Sequence, residues 1–248
     1  MYRNVLFDLY GTLIDIHTDE KKGYLWQKMS EFFRAYGAYY TPAALKHAYL
    51  YYVAQLESQL GGPHPEIQLE LVFLQLYLDK GIHADPALIQ STGTAFRTIS
   101  RSRLELYPDV LDLLNGLKER HIGIYLLSNA QHMFTEPEMQ MTGLLPFFDG
   151  ISYSSDAGCR KPDPTFLTLL LTTYGLDKND CVMIGNEAAS DIAIANACGM
   201  DSIYLHTNLS PQDESAPEAT WQIPDGDHLK ILSILDEATQ RLHVDENR

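Results

Sequence analysis

The stretch Asn4-Val5-Leu6-Phe7-Asp8-Leu9-Tyr10-Gly11-Thr12 decides the fold. Its short apolar run ends on a carboxylate and then on Gly-Thr, the pattern of a parallel strand buried on both faces that enters a tight loop. The same shape recurs at residues 121–128 (HIGIYLLS), which stop at Ser128-Asn129, and at 181–184 (CVMI), which stop at Gly185-Asn186. A helical pattern follows each. Residues 201–205 after Gly199, and 148–153 before Lys161-Pro162-Asp163-Pro164, supply two further strands. Regular alternation of strand and helix predicts an α/β fold built on a doubly wound parallel sheet.

Residues 16–103 break that rhythm. They carry helical signals and no convincing strand, so they are expected to form an all-helical insert. Thr41-Pro42 and Asp85-Pro86 are N-cap and first-turn pairs, while Gly37, Gly61-Gly62 and Gly81 fall where helices stop. Four helices fit. Between 65 and 80 the apolar positions are too continuous for a solvent-facing helix, which predicts a central one. Tyr36, Tyr39, Tyr40, Tyr49, Tyr51 and Tyr52 are expected in the insert's core or an interface, with a substrate cleft as the alternative. Residues 211–227 carry Asp213, Glu214, Glu218, Asp225 and Asp227 without a Lys or Arg, and read as a surface loop before a last helix.

The whole chain has 248 residues, 45% of them hydrophobic and 21% charged, enough for a full core and against disorder. With 18 Lys plus Arg against 33 Asp plus Glu, the net charge is -15. That balance repels polyphosphate backbones, and no basic stripe overrides it, so nucleic acid is not an expected partner. Cys159, Cys181 and Cys198 lack the spacing of a zinc site and read as reduced thiols. Asp8 interrupts the first apolar run, and no segment approaches the ~18 apolar residues of a membrane span. A cytoplasmic protein acting on a small molecule, as a monomer or homodimer, is expected.

In an open parallel sheet, ligands bind beyond the carboxyl ends of the strands, so residues ending separate strands converge. Here those ends carry Asp8, Ser128-Asn129, and Asn186 with Asp191, while Lys161 approaches from a proline-flanked loop. Singly each has a plain structural use, as turn former, helix cap or solvated charge. Together they form an anion-handling set. Ser128 and neighbouring backbone N–H groups could orient a phosphate, Lys161 neutralise it and Asp8 attack it.

This order of motifs closely resembles the haloacid dehalogenase superfamily. Phe7-Asp8-Leu9-Tyr10-Gly11-Thr12-Leu13 is similar to its first motif, Leu127-Ser128-Asn129 to its second, Arg160-Lys161-Pro162-Asp163-Pro164 to its third, and Gly185-Asn186 through Asp191 to its fourth. The resemblance implies a Rossmann-like core (residues 1–15 and 104–248) under a mobile helical cap (16–103). It implies Asp8 as the covalent nucleophile, Ser128, Asn129 and Lys161 on the phosphoryl group, and Thr12 orienting the Asp8 loop. A weakened Mg²⁺ site on Asp8, the Tyr10 carbonyl, Asn186 and Asp191 is also implied.

Two departures bear on the reaction. Phosphatases of the family carry a second aspartate two residues after the nucleophile, as acid and then base. Here that position is Tyr10, a candidate catalytic residue that with a reference pKa of ~10 could donate a proton at neutral pH but would serve poorly as a base. Haloacid dehalogenases carry tyrosine there, since a departing halide needs no proton, but they also need a cap cation for the substrate carboxylate. Lys21, Lys22, Lys28, Arg34 and Lys46 are the candidates in the insert. In the fourth motif, Asn186 replaces a charged metal ligand, and Glu187 beside it either restores that charge or begins the next helix. The first expectation is a Mg²⁺-dependent hydrolase of a small phosphorylated metabolite with a good leaving group or its own proton donor. The alternatives are a metal-independent 2-haloacid dehalogenase and a regulatory or ligand-binding member with lost turnover.

Overall fold

The computed structural model describes residues 2–212 and 218–245. Five strands match the apolar runs: β1 (Asn4–Phe7), β4 (Gly123–Ser128), β5 (Gly150–Tyr153), β6 (Cys181–Gly185) and β7 (Asp201–Leu205). With β8 (Trp221–Ile223) they form one six-stranded parallel sheet in the order β5-β4-β1-β6-β7-β8. The chain reverses its direction of winding at β1, so the crevice where ligands bind in such sheets opens above Asp8. Phe7 pairs in register with Leu126 on one side and Ile184 on the other. Asp8, Ser128 and Asn186 therefore leave the sheet at one level.

Alternate residues of each buried strand serve opposite layers. Val5, Phe7, Val182 and Ile184 pack with α5 (Val110–Glu119) and α10 (Lys230–Asp245). Leu6, Cys181 and Met183 face α8 (Pro164–Tyr174) and α9 (Ala193–Cys198). The two-sided apolar demand explains why these strands lack alternation in the sequence. The remaining helices beside the sheet are α6 (His132–Met141) and α7 (Ser154–Ala157).

Four helices stand apart from the sheet: α1 (Gly23–Ala35), α2 (Pro42–Gln59), α3 (Leu69–Leu78) and α4 (Pro86–Ser100). Thr41 and Asp85 cap α2 and α4, accepting from the N–H groups of Ala44 and Leu88. Their shared core includes Trp26, Phe33, Tyr49, Phe73 and Phe96, and it also takes Met133 and Phe134 from α6. Tyr40 and Tyr49 are buried there, whereas Tyr36, Tyr39 and Tyr51 are exposed. In α3, Val72, Phe73, Leu76 and Tyr77 are buried, and Leu71 and Leu78 keep a solvent face.

Two expectations are corrected. Residues 16–103 are not all helical: β2 (Ile14–Thr18) and β3 (Arg101–Leu106) pair as an antiparallel ribbon from which the four helices emerge. Its short, half-buried strands leave only Ile14, Ile16, Leu104 and Leu106 as an alternating signal. Residues 211–227 are not wholly loop, because β8 adds the edge strand of the sheet. Three residues in an acidic, turn-rich context are too short to read as a strand. Asp213 and Glu214 lie outside the described residues. Among those described, no helix is long and apolar enough to cross a membrane.

Candidate active site

The structure brings Asp8, Thr12, Ser128, Asn129, Lys161, Asn186 and Asp191 together at the carboxyl edge of β1, β4 and β6, all of them buried or nearly so. Lys161 is the hub. Its Nζ donates to Asp8 Oδ1 at 2.7 Å, Asp191 Oδ1 at 2.7 Å and the Leu127 carbonyl at 2.8 Å. An ammonium has three protons, and here all three have protein acceptors. Burial opposes the charge on Lys161, but Asp191 and then Asp8 outweigh it and raise its pKa. Burial raises the pKa of Asp191, Lys161 pulls it back, and the like charge of Asp8 adds to the rise.

The other contacts hold this ion triad in place. Thr12 Oγ1 lies 3.2 Å from both Asp8 Oδ2 and Asn186 Oδ1. Ser128 Oγ approaches Asp8 Oδ1 at 3.5 Å. Asn129 clamps the backbone of Lys161, accepting from its N–H at 2.8 Å and donating to its carbonyl at 3.1 Å. Asp191 Oδ2 accepts from the Glu187 N–H at 3.0 Å, so both its oxygens are engaged within the protein. Gly11 adopts φ +88, and a Cβ there would meet Asn186 Nδ2 at 2.4 Å. Only glycine lets the loop turn this closely against Asn186.

Several residues of the site carried no signal in the sequence. Thr207 Oγ1 donates to the Gly11 carbonyl at 2.7 Å, and His228 Nε2 donates to that of Thr12 at 2.7 Å, fixing the loop after Asp8 from the C-terminal side. The pocket above Asp8 has a volume of about 210 Å³, and Tyr10, Glu187, Ser190, Leu209 and Pro211 form its rim. Glu187 precedes the short helical turn Ala188–Ile192 and also stands at the pocket, with Oε2 accepting from Ser190 Oγ at 2.6 Å. No described residue of α1–α4 lines the pocket, so the cations of the insert, Lys21, Lys22, Lys28, Arg34 and Lys46, lie outside it. Burial, then Asp163, raises the Cys159 thiol, so its basic neighbours do not activate it.

Tyr10 lines the pocket, but its hydroxyl is committed elsewhere. It donates to Glu138 of α6 and lies 3.1 Å from Thr135 Oγ1. Glu138 also accepts from Arg97 Nε at 2.8 Å, Arg97 Nη2 at 3.0 Å and Arg101 Nη1 at 2.7 Å. Burial works against the Glu138 charge, yet the Arg97, Tyr10 and Arg101 hydrogen bonds prevail and hold its carboxyl below the usual range. Burial first, and then that negative charge, raise the pKa of the Tyr10 phenol. Glu138 sits on a helix 128 residues from Tyr10. Nothing in its local sequence distinguishes it from a surface carboxylate.

Mg²⁺ commonly binds through one or two carboxylates, other oxygens and the substrate's own phosphate rather than in an all-protein cage. Among the described residues no cluster of three or more His, Cys, Asp and Glu side chains forms such a cage. Asp8 Oδ2 and Asn186 Oδ1, gathered around Thr12, fit the first requirement as one carboxylate and one neutral oxygen.

The model of haloacid dehalogenase-like hydrolases matches residues 2–199. A ribulose-1,5-bisphosphate 5-phosphatase of Halopiger xanaduensis is 26% identical over 73% of this chain and 67% of its own length. The pyrimidine 5'-nucleotidase PynA of Streptococcus pneumoniae is 25% identical over 86% of this chain and 90% of its own. A phosphoserine phosphatase of Thermus thermophilus is 27% identical, with 53% of this chain aligned to only 52% of that enzyme. The fold is shared with a HAD phosphatase from Thermococcus onnurineus (TM-score 0.60, 18% identity, covering 95% of this chain and 98% of that one). It is shared equally with the L-2-haloacid dehalogenase PA0810 (TM-score 0.58, 21% identity, covering 96% and 100%). With four motifs on one sheet edge and a family match across most of its length, this chain belongs to the haloacid dehalogenase-like hydrolases, a hydrolase with phosphatase relatives.

Proposed function

We propose that the protein hydrolyses small phosphate monoesters through a covalent phosphoaspartate on Asp8, with Mg²⁺ bound, and that helices α1–α4, inserted between β2 and β3, form a cap. The observation that carries this reading is the charge balance of the pocket. Lys161 is shared between Asp8 and Asp191, which leaves one negative charge over, and Glu187 on the rim adds another. A phosphate dianion cannot enter so acidic a pocket unless a cation accompanies it. Asp8, the Tyr10 carbonyl and Asn186 would hold Mg²⁺, and Asp191 would act through Lys161. When bound, Mg²⁺ offsets the charge of the phosphoryl oxygens.

The chain's own residues account for the rest. Lys161 Nζ at 2.7 Å and Ser128 Oγ at 3.5 Å hold the Asp8 carboxylate in place at the pocket. Asp8 attacks phosphorus as the bond to the alcohol oxygen breaks, and water later cleaves the acyl phosphate to regenerate the carboxylate. Because the Tyr10 hydroxyl is committed to a hydrogen bond with Glu138, the leaving oxygen takes its proton from the substrate or from water. Tyr10→Phe is therefore expected to keep hydrolysis of an activated aryl phosphate within about threefold of wild type, against the ~10²–10⁴ typical of losing a true acid or base. Steady-state kinetics on 4-nitrophenyl phosphate checks it, and a hundredfold loss would restore Tyr10 to the acid–base role.

The same sequestered phenol favours a second reading, metal-independent 2-haloacid dehalogenation, because halide departure needs no proton. Against it, no cation besides Lys161 lines the pocket among the described residues, and every Lys161 proton is engaged by protein oxygens. A panel of phosphate monoesters and 2-haloacids, assayed with Mg²⁺ and with EDTA, separates the two. EDTA-sensitive phosphate release is expected; EDTA-insensitive halide release would overturn the phosphatase reading.

A further inference from the structure

The pocket rim limits what can leave with the phosphate. Around Asp8 the lining charges are Asp8 itself, Lys161 and Glu187, and every Lys161 proton is engaged by protein oxygens. No second cation lines the pocket among the described residues. Arg97 and Arg101, from the end of α4 and the start of β3, are bound to Glu138. Besides Tyr10, the rim is an apolar wall of Leu209 and Pro211 beside Glu187 and Ser190.

That wall is built from the loop that follows β7, not from the helical insert, and it is fixed relative to the nucleophile. Thr207 Oγ1 joins the Gly11 carbonyl at 2.7 Å and accepts from the Leu209 N–H at 3.3 Å. Ser210 Oγ accepts from the Thr207 N–H at 3.0 Å. Asn208 is held by the Tyr107 hydroxyl at 2.6 Å and donates to Asp15 at 3.3 Å. The loop carrying Leu209 is thus bound both to the turn after Asp8 and to the β2/β3 ribbon. Leu209 keeps 39% of its surface exposed, at a position where it can meet a bound molecule.

We infer that Leu209 and Glu187 determine specificity, selecting phosphate monoesters of small alcohols that bear a hydroxyl or ammonium donor and no anionic group. This rests on the phosphatase reading and extends it. A carboxylate on the leaving group would meet Glu187 and the excess charge of the Asp8 pair with no counter-ion, whereas a donor would be accepted by Glu187. The same donor lies on the leaving group, where Tyr10 supplies none.

The test compares kcat/KM for ethanolamine phosphate, glycerol 3-phosphate, 3-phosphoglycerate and phosphoglycolate in the wild type, Glu187→Gln and Leu209→Arg. Wild type is expected to prefer the first two at least about tenfold. Glu187→Gln should shrink the advantage of ethanolamine phosphate over glycerol 3-phosphate about three- to fivefold, the size of one partly exposed charge contact. Leu209→Arg, at an exposed site, should raise turnover of the two carboxylated esters relative to glycerol 3-phosphate by a similar factor. A wild-type preference for the carboxylated esters, or ratios unmoved by both variants, would overturn the inference. Asp8-dependent turnover of 4-nitrophenyl phosphate, measured alongside, distinguishes the failures. If it is present, only the specificity claim falls; if it is absent, the phosphatase reading falls with it.

Discussion

Asp8→Asn is expected to abolish turnover while leaving the protein folded. Removing the nucleophile of a covalent hydrolase costs on the order of 10⁶ in kcat, because later steps have no intermediate to act on. Packing changes little: Asn is isosteric, its amide oxygen can still accept from Lys161, and Lys161 keeps Asp191 at 2.7 Å. Relief of the excess negative charge should leave the melting temperature equal or raised. The measurements are kcat on the best phosphate ester, the melting temperature, and mass-spectrometric detection of a phosphorylated Asp8 in the wild type. A variant retaining turnover within tenfold of wild type would remove Asp8 from the nucleophile's place.

The second large effect concerns stability. Lys161→Met deletes the cation shared by two carboxylates, of which Asp191 is 1% exposed and Asp8 8%. Removing one partner of a buried ion pair costs about 3–5 kcal/mol, chiefly through the charge left behind. For a chain of this size that lowers the melting temperature by about 10 °C. The pH dependence has a definite sign. Burial and Asp8 already raise the Asp191 pKa, while Lys161, and after it the Glu187 N–H, pull it down, so loss of Lys161 raises it further. A carboxyl whose folded pKa exceeds its unfolded value binds the extra proton in the folded state. Stability then falls as pH rises between the two values. The deficit of Lys161→Met, measured in EDTA, should therefore be smaller at pH 5 than at pH 8, and Asp191→Asn in the same background should recover part of it. A deficit independent of pH, or no deficit, would mean that the triad is not the buried charge system described.

The sheet was legible because β1, β4 and β6 must be apolar on both faces, a demand that leaves continuous runs ending on polar residues. The ribbon was not, since β2 and β3 are short and partly exposed and pair only with each other, across the whole of the segment that carries α1–α4. Asp8, Ser128, Lys161 and Asp191 could be grouped because each ends a strand or follows one in a fixed order. Glu138, Thr207, Leu209 and His228 could not, since each reaches the site through a side chain on an element whose own pattern is that of a common helix or loop.

The sequence by itself determined the α/β class, the strand-end chemistry, and the presence of tyrosine and asparagine where the family resemblance leads one to expect aspartates. Those are properties of residue type and short-range order, and period and spacing record them. Only the tertiary structure decided where the protons and charges go. Lys161 is divided between two carboxylates, the Tyr10 proton is spent on Glu138, and the pocket wall comes from the C-terminal edge instead of the insert. The physical reason is that an ion triad and a pocket rim are set by distances of about 3 Å between residues far apart along the chain. Coulombic and hydrogen-bond energies depend on those distances, and not on residue order.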